Sequence, residues 1–201
     1  MAAVCVFCSS STDISGADVS LARSLGSEIA RRGHSLVSGG GAQSSMGAVA
    51  RAVREGGGRT VGVIPAALLE LPGVGDTDAD ELLVVDDMRQ RKGLMDSRSD
   101  AFVALAGGLG TLEELLEVWV GRVLGMHVKP VVVLDPHRLF APLREQVARM
   151  VAGGFATAEA AAAVIWTTEV GQALDAVERG IARPVRLVPT AAEVAESDPG
   201  T

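Results

Sequence analysis

The chain is poor in aromatic residues: they make up 3% of it, and tyrosine is absent. Single-stranded nucleic acids are held by stacking on such rings, so that class of partner is not expected. Two cysteines, Cys5 and Cys8, are too few for a disulfide scaffold. Lysine is scarce as well. Only Lys92 and Lys129 occur among 18 basic residues, the rest being arginine, as codon drift in a GC-rich genome would produce. Against 25 acidic residues this leaves a net charge of -7 with no basic run. A general nucleic-acid or anionic-membrane binder is therefore not expected, although a local site can still hold a phosphate. No apolar run approaches the roughly 20 residues that span a bilayer. The opening Met1 to Cys8 lacks a basic flank and is too short for a secretory signal. A cytoplasmic protein is expected.

What is present is hydrophobic patterning. At 201 residues and 48% hydrophobic content, the chain fits one domain with a sizeable core. Short apolar runs at Ala3–Cys8, Ser35–Ser38, Thr60–Pro65, Leu82–Val85, Ala101–Leu105, Val131–Leu134 and Val164–Thr167 predict strands. Helical spacing predicts helices over Ala17–Arg32, Met46–Arg54, Asp87–Arg98, Thr111–Met126, His137–Val151 and Glu169–Arg179. Continuous apolar strands alternating with helices imply a parallel sheet covered on both faces. The fold expected is a single doubly wound, Rossmann-like α/β domain over residues 1–182. Residues 183–201 are expected to form a tail, weakly docked or disordered.

Two glycine-rich loops fall between a strand and a helix. One is Ala106-Gly107-Gly108-Leu109-Gly110-Thr111, followed by Glu113 and Glu114. Its glycines permit close backbone approach, and a helix start offers free N–H groups and the positive end of the dipole to an anion. Thr111 can cap that helix or donate to a phosphate oxygen. The other loop runs from Ser38 through Gly39, Gly40 and Gly41 to Gly47. The loop from Ala106 is neither a dinucleotide fingerprint nor a Walker A loop: from Gly108 it reads G-x-G-x-x-E, the turn after the first strand, Cys8 to Ser11, has no glycine, and no lysine follows the glycines. In the helix before the first loop, Met88, Arg91, Lys92 and Met95 share a face, placing two cations together. Such a pair must be solvated, ion-paired or bound to an anion. In the helix after it, Leu112, Leu115, Leu116, Trp119, Val120, Val123 and Leu124 form a stripe for core or interface, with Glu114 nearly opposite.

Cys5-Val6-Phe7-Cys8 has redox spacing but lies in a predicted strand. There its side chains point to opposite faces with Cα atoms roughly 10 Å apart, too far for a disulfide. His34, His127 and His137 are scattered singly, so no metal site is expected.

The motifs together resemble the LONELY GUY family of cytokinin-activating phosphoribohydrolases, formerly labelled lysine decarboxylase-like. The resemblance rests on P-G-G-x-G-T-x-x-E, here Ala106 to Glu114, and on M-H-x-R-K, here Met88 to Lys92. It also rests on G-G-G-x-x-G-L-M-G, here Gly39 to Gly47, on Ser99 to Phe102, and on Lys129-Pro130. It implies a Rossmann-like homodimer, or larger assembly, that hydrolyses the N-glycosidic bond of AMP or a cytokinin riboside monophosphate. It implies Arg91 and Glu114 as the catalytic pair, and a phosphate held by Gly107, Gly108, Gly110 and Thr111. Met88, Lys92, Gly39, Gly40, Gly41 and Ser9 complete the expected substrate site, with no cofactor and no metal. Four departures stand out: Ala106 for proline, Arg89 for histidine, Ser44-Ser45 for Gly-Leu, and Ser9 where a glycine is common. A nucleotide or molybdenum-cofactor carrier on a related fold is the alternative. A pyridoxal decarboxylase would need a Schiff-base lysine from a chain that has two.

Overall fold

The structure, a computed structural model, describes residues 1–189 and Val194. Seven parallel strands lie in the order β4-β3-β2-β1-β5-β6-β7. They are β1 (Ala3–Phe7), β2 (Ser35–Ser38), β3 (Thr60–Pro65), β4 (Glu81–Val85), β5 (Ala101–Ala104), β6 (Val131–Leu134) and β7 (Val164–Thr167). The helices are α1 (Gly16–Arg31), α2 (Ser44–Glu55), α3 (Ala66–Leu69), α4 (Met88–Ser97), α5 (Leu109–Val123), α6 (Ala141–Ala152), α7 (Ala158–Ala162) and α8 (Val170–Ala182). The chain winds outward from β1 to β4, then returns to place β5 on the other side of β1. That reversal opens a crevice beyond the carboxyl ends of β1 and β5, where ligands bind in doubly wound folds. The fold is the one expected.

Strand alternation divides the core. Val4, Val6 and Cys8 pack with Leu25, Ile29, Val49, Val53, Leu174 and Val177 on the α1, α2 and α8 face. Cys5 and Phe7 pack with Met95, Phe102, Leu115 and Trp119 on the α4 and α5 face. The two thiols are thus on opposite faces, free and buried, and burial pushes both to higher pKa. They are inert core residues in this geometry, as the spacing argument anticipated.

Several boundaries differ from expectation. The predicted helix from His137 begins instead at Ala141, because the Asp135 carboxylate accepts the N–H groups of Leu139 (2.9 Å) and Phe140 (2.8 Å). Those bonds form a turn, and Arg138 within it has φ 61°, which no α-helix continues through. The short helices α3 and α7 have no counterpart in the sequence reading. Of the expected tail, Arg186 Nη1 donates to Gly125 O at 2.6 Å and Leu187 packs on the α4–α5 side of the core. Most of the tail beyond 189 lies outside the described residues.

Ser44, at the start of α2, has φ 53° and a buried hydroxyl without a hydrogen-bond partner. This is the position where the family motif carries glycine. A serine in the left-handed region costs about 1–3 kcal/mol, and the glycine offset through unfolded-chain entropy is smaller. Ser44→Gly is therefore expected to stabilise the protein by about 1 kcal/mol and raise Tm by about 2–4 °C. A calorimetric scan showing a lower Tm would mean that the backbone relaxes around serine without strain.

Candidate active site

The cleft at the β1/β5 switch point has a volume of about 570 Å3. Its floor and rim come from strand ends: Cys8 to Ser11 after β1, Gly39 and Gly41 after β2, Ile64 of β3, and Ala106 to Gly108 after β5. Helices complete it: α4 through Met88 and Arg91, α5 through Gly110, Thr111, Glu113 and Glu114, and α1, α2 and α3 through Asp18, Met46 and Leu68.

The α5 terminus is open to the cleft. The helix starts at Leu109, two residues earlier than the sequence suggested, so Thr111 lies within the first turn and is not the cap. Gly108 occupies the cap position and supplies no side-chain acceptor. The N–H groups of Leu109, Gly110 and Thr111 therefore face outward without an intrahelical partner, at the positive end of the dipole. Gly107 is required by a close approach, since a Cβ there would fall 2.1 Å from Thr111 Oγ1. The glycine lets the threonine hydroxyl stand against the loop, beside the free amides.

Arg91 is fixed by backbone. Nε donates to Val63 O at 3.1 Å and Nη2 donates to Gly39 O at 2.9 Å, so a carbonyl within β3 and one just after β2 hold the guanidinium. The space it occupies depends on Gly39, where a Cβ would meet Nη2 at 1.7 Å. The remaining Nη1 stands 3.8 Å from Glu114 Oε1, an ion pair too long for a hydrogen bond. Both side chains are about nine-tenths buried. Burial raises the Glu114 pKa to about 7; Arg91 opposes the rise and Glu113 adds to it. A carboxyl poised there exchanges a proton near neutral pH, which suits acid–base work.

The sequence-predicted residues are not all brought together. Met88, Arg91, Gly107, Gly108, Gly110, Thr111, Glu114, Gly39, Gly41 and Ser9 line the cleft. Gly40 and Lys92 do not. Gly40 (φ 72°) turns the chain, with Ile64 and Leu82 against its Cβ position. Lys92 pairs with Glu113 and, at 2.7 Å, with Glu117. Glu114 is also not opposite the packed face of α5: Thr111, Glu114, Leu115, Val118 and Trp119 form that face, while Leu116 and Val120 are exposed. The sequence reading missed the apolar wall of Ile14, Met46, Ile64, Leu68, Val74 and Leu139. No local pattern marks these residues as a group, because Met46 comes from α2, Leu68 from α3, Ile64 from β3 and the others from separate connecting segments.

A doubly wound parallel sheet with an uncapped helix terminus and a buried Arg–Glu pair at its switch point defines a Rossmann-like class. The family described as "Possible lysine decarboxylase" matches residues 46–177. "Cytokinin riboside 5'-monophosphate phosphoribohydrolase" of Mycobacterium marinum is 46% identical over 160 residues, 80% of this chain and 85% of that protein. The protein of the same name from Mycobacterium tuberculosis is 46% identical over 156 residues, 78% of this chain and 83% of its own. The chain belongs to this family, the LONELY GUY family. In fold it is similar to the Moco carrier protein of Chlamydomonas reinhardtii, with TM-score 0.68 at 24% identity, covering 90% of this chain and 98% of that one.

The decarboxylase of the family description does not fit these residues. A Schiff base needs a neutral lysine amine facing the cleft. Lys92 is held between two carboxylates that raise its pKa, and Lys129 Nζ lies 2.6 Å from Asp96 Oδ1. Neither lines the cleft.

Proposed function

We propose that the chain is a phosphoribohydrolase in which Arg91 and Glu114 carry the chemistry. It hydrolyses the N-glycosidic bond of adenine-type nucleoside 5'-monophosphates, AMP or cytokinin riboside monophosphates, to the free base and ribose 5-phosphate. The observation that carries this reading is one cleft joining the uncapped α5 terminus to a buried carboxylate beside a guanidinium. The phosphate takes the Leu109, Gly110 and Thr111 amides and the Thr111 hydroxyl. The ribose then lies over Glu114, and the base extends to the apolar wall.

The bond between the anomeric carbon and the base nitrogen breaks with its electron pair leaving on the base, and the proton released by the attacking water ends on that base. Positive charge develops on the sugar, and the Glu114 carboxylate stabilises it or accepts a proton from the attacking water. Water delivers its hydroxyl to the anomeric carbon. Arg91, clamped by two carbonyls, keeps Glu114 and the nucleotide in register. Chromatography of products from a nucleotide panel tests the reading. Equimolar base and ribose 5-phosphate are expected from at least one monophosphate. Bound but unchanged nucleotide throughout would instead favour a carrier.

The protein acts as a homodimer. The outer side of α5 and the following turn expose Leu109 (85%), Leu116 (39%), Val120 (49%) and Met126 (74%), an apolar strip continuous with the exposed Phe155. Contiguous apolar surface of this kind marks an interface. Sedimentation at micromolar concentration should give a dimer or larger species, and a stable monomer would contradict it. Among the described residues no helix is long and apolar enough to cross a membrane. With both thiols free and buried, the cytoplasm is the compartment we assign.

A further inference from the structure

Lys92 is the one expected ligand-binding cation that the fold turns away from the cleft. It is also one of only two lysines among 18 basic residues. Its ammonium sits between Glu113 and Glu117, which lie one turn apart on the same side of α5. Lys92 is 18% exposed where its partners are 55% and 53% exposed, so the cation is drawn in and the carboxylates reach over it. Glu114 follows Glu113 directly, and Arg91 precedes Lys92. The two helices therefore carry paired contacts side by side: Arg91 to Glu114 in the cleft, and Lys92, outside it, to Glu117 and to Glu113 at the cleft's edge.

We propose that Lys92 is a positioning residue: by binding Glu113 and Glu117 together it docks the first two turns of α5 on α4 and neutralises the two carboxylates that flank Glu114. This rests on the reading of Glu114 as the reactive carboxylate. Glu114 faces charged or titratable groups from three elements. Arg91 and Lys92 come from α4 and Glu113 and Glu117 from α5 itself, while Cys5 within β1 and Cys8 just after it lie on opposite sheet faces yet both feel the Glu114 charge. Asp96 of α4, paired with Lys129, and His127 border a small cavity on the other side of Glu114. Of these, Glu113 and Glu117 raise the Glu114 pKa, while Arg91 and Lys92 lower it. Losing the Lys92 cation removes a stabiliser of the Glu114 carboxylate and frees two neighbouring negative charges. Both effects act in the same direction, upward.

The experiment is a pH profile of kcat and KM for AMP, from pH 5.5 to 9, with the parent and four variants. The parent should lose kcat/KM below a pKa of about 7, the value that burial gives Glu114. In Lys92→Met the limb should move up by about one unit, lowering kcat/KM about fivefold at pH 7. At pH 9 the variant should return to within about twofold of the parent, with KM unchanged. Lys92→Arg keeps the charge and should restore the parent limb. The double variant Glu113→Gln with Glu117→Gln leaves Lys92 unneutralised, so its limb should move down. That opposite sign separates electrostatic positioning from a mere helix clamp, and holds as a test even if Lys92→Met folds poorly. A loss that is equal at every pH, or a raised KM as its main effect, would overturn the proposal. If Glu114→Gln keeps both turnover and the limb, the failure lies in the Glu114 assignment and not in Lys92.

Discussion

Glu114→Gln should lower kcat for AMP by about a thousandfold or more, the range lost when a positioned acid–base group is removed. The amide keeps the shape of the side chain but cannot carry the charge that matches an oxocarbenium-like transition state. Ground-state contacts survive, so AMP affinity should stay within about tenfold, or 1.4 kcal/mol. The same substitution should stabilise the fold. A carboxyl raised from 4.5 to about 7 by burial resists ionisation in the native state. The penalty is nearly absent below pH 4.5, accumulates between pH 4.5 and about 7, and stays constant above that. Removing it should add on the order of 3 kcal/mol at pH 8.5 and little at pH 5. Thermal melts at the two pH values, run beside initial rates, check both halves. A variant that is inactive and also less stable at pH 8.5 would point to a structural carboxylate.

Loss of the substrate's phosphate should have the next largest effect: AMP is cleaved, while adenosine is essentially inert. Charge-assisted hydrogen bonds contribute about 1.5–3 kcal/mol each. Two or three from the first turn of α5, after desolvation, amount to on the order of 4 kcal/mol, nearly a thousandfold in kcat/KM. Because this binding energy lies away from the scissile bond, it fixes the ribose over Glu114. Its loss should therefore lower kcat as well as raise KM. The comparison needs kcat/KM for both substrates in one buffer. Similar values would reduce the Gly107 to Gly110 loop to a connecting turn.

How much of this could be read beforehand depended on how local the cause was. β2, β3, β6 and β7 have the bounds their apolar runs predicted. Arg91, Glu114 and the Gly107 to Thr111 loop were legible from their motifs, and the cleft gathers them because all lie at strand C-termini or on the helices beside them. The face of α5 was misread because leucines and valines occupy more than half of its circumference. Such a pattern does not say which side meets the sheet, and the sheet took Glu114 and Val118 in place of Leu116 and Val120. Lys92 stands outside the cleft for a similar reason. Its motif marks it beside Arg91, but its direction is set by Glu113 and Glu117 on another helix. The apolar wall was invisible, since Ile14, Leu68, Val74 and Leu139 meet only in three dimensions.

The most direct test is a crystal structure of the Glu114→Gln protein with AMP bound, since that variant should hold the nucleotide without cleaving it. The phosphate is expected within hydrogen-bond distance of the Leu109, Gly110 and Thr111 amides. The anomeric carbon should face residue 114, and the base should lie against Ile64, Leu68 and Val74. A phosphate bound elsewhere in the cleft, or an anomeric carbon directed away from residue 114, would contradict the assignment of this site as a phosphoribohydrolase centre.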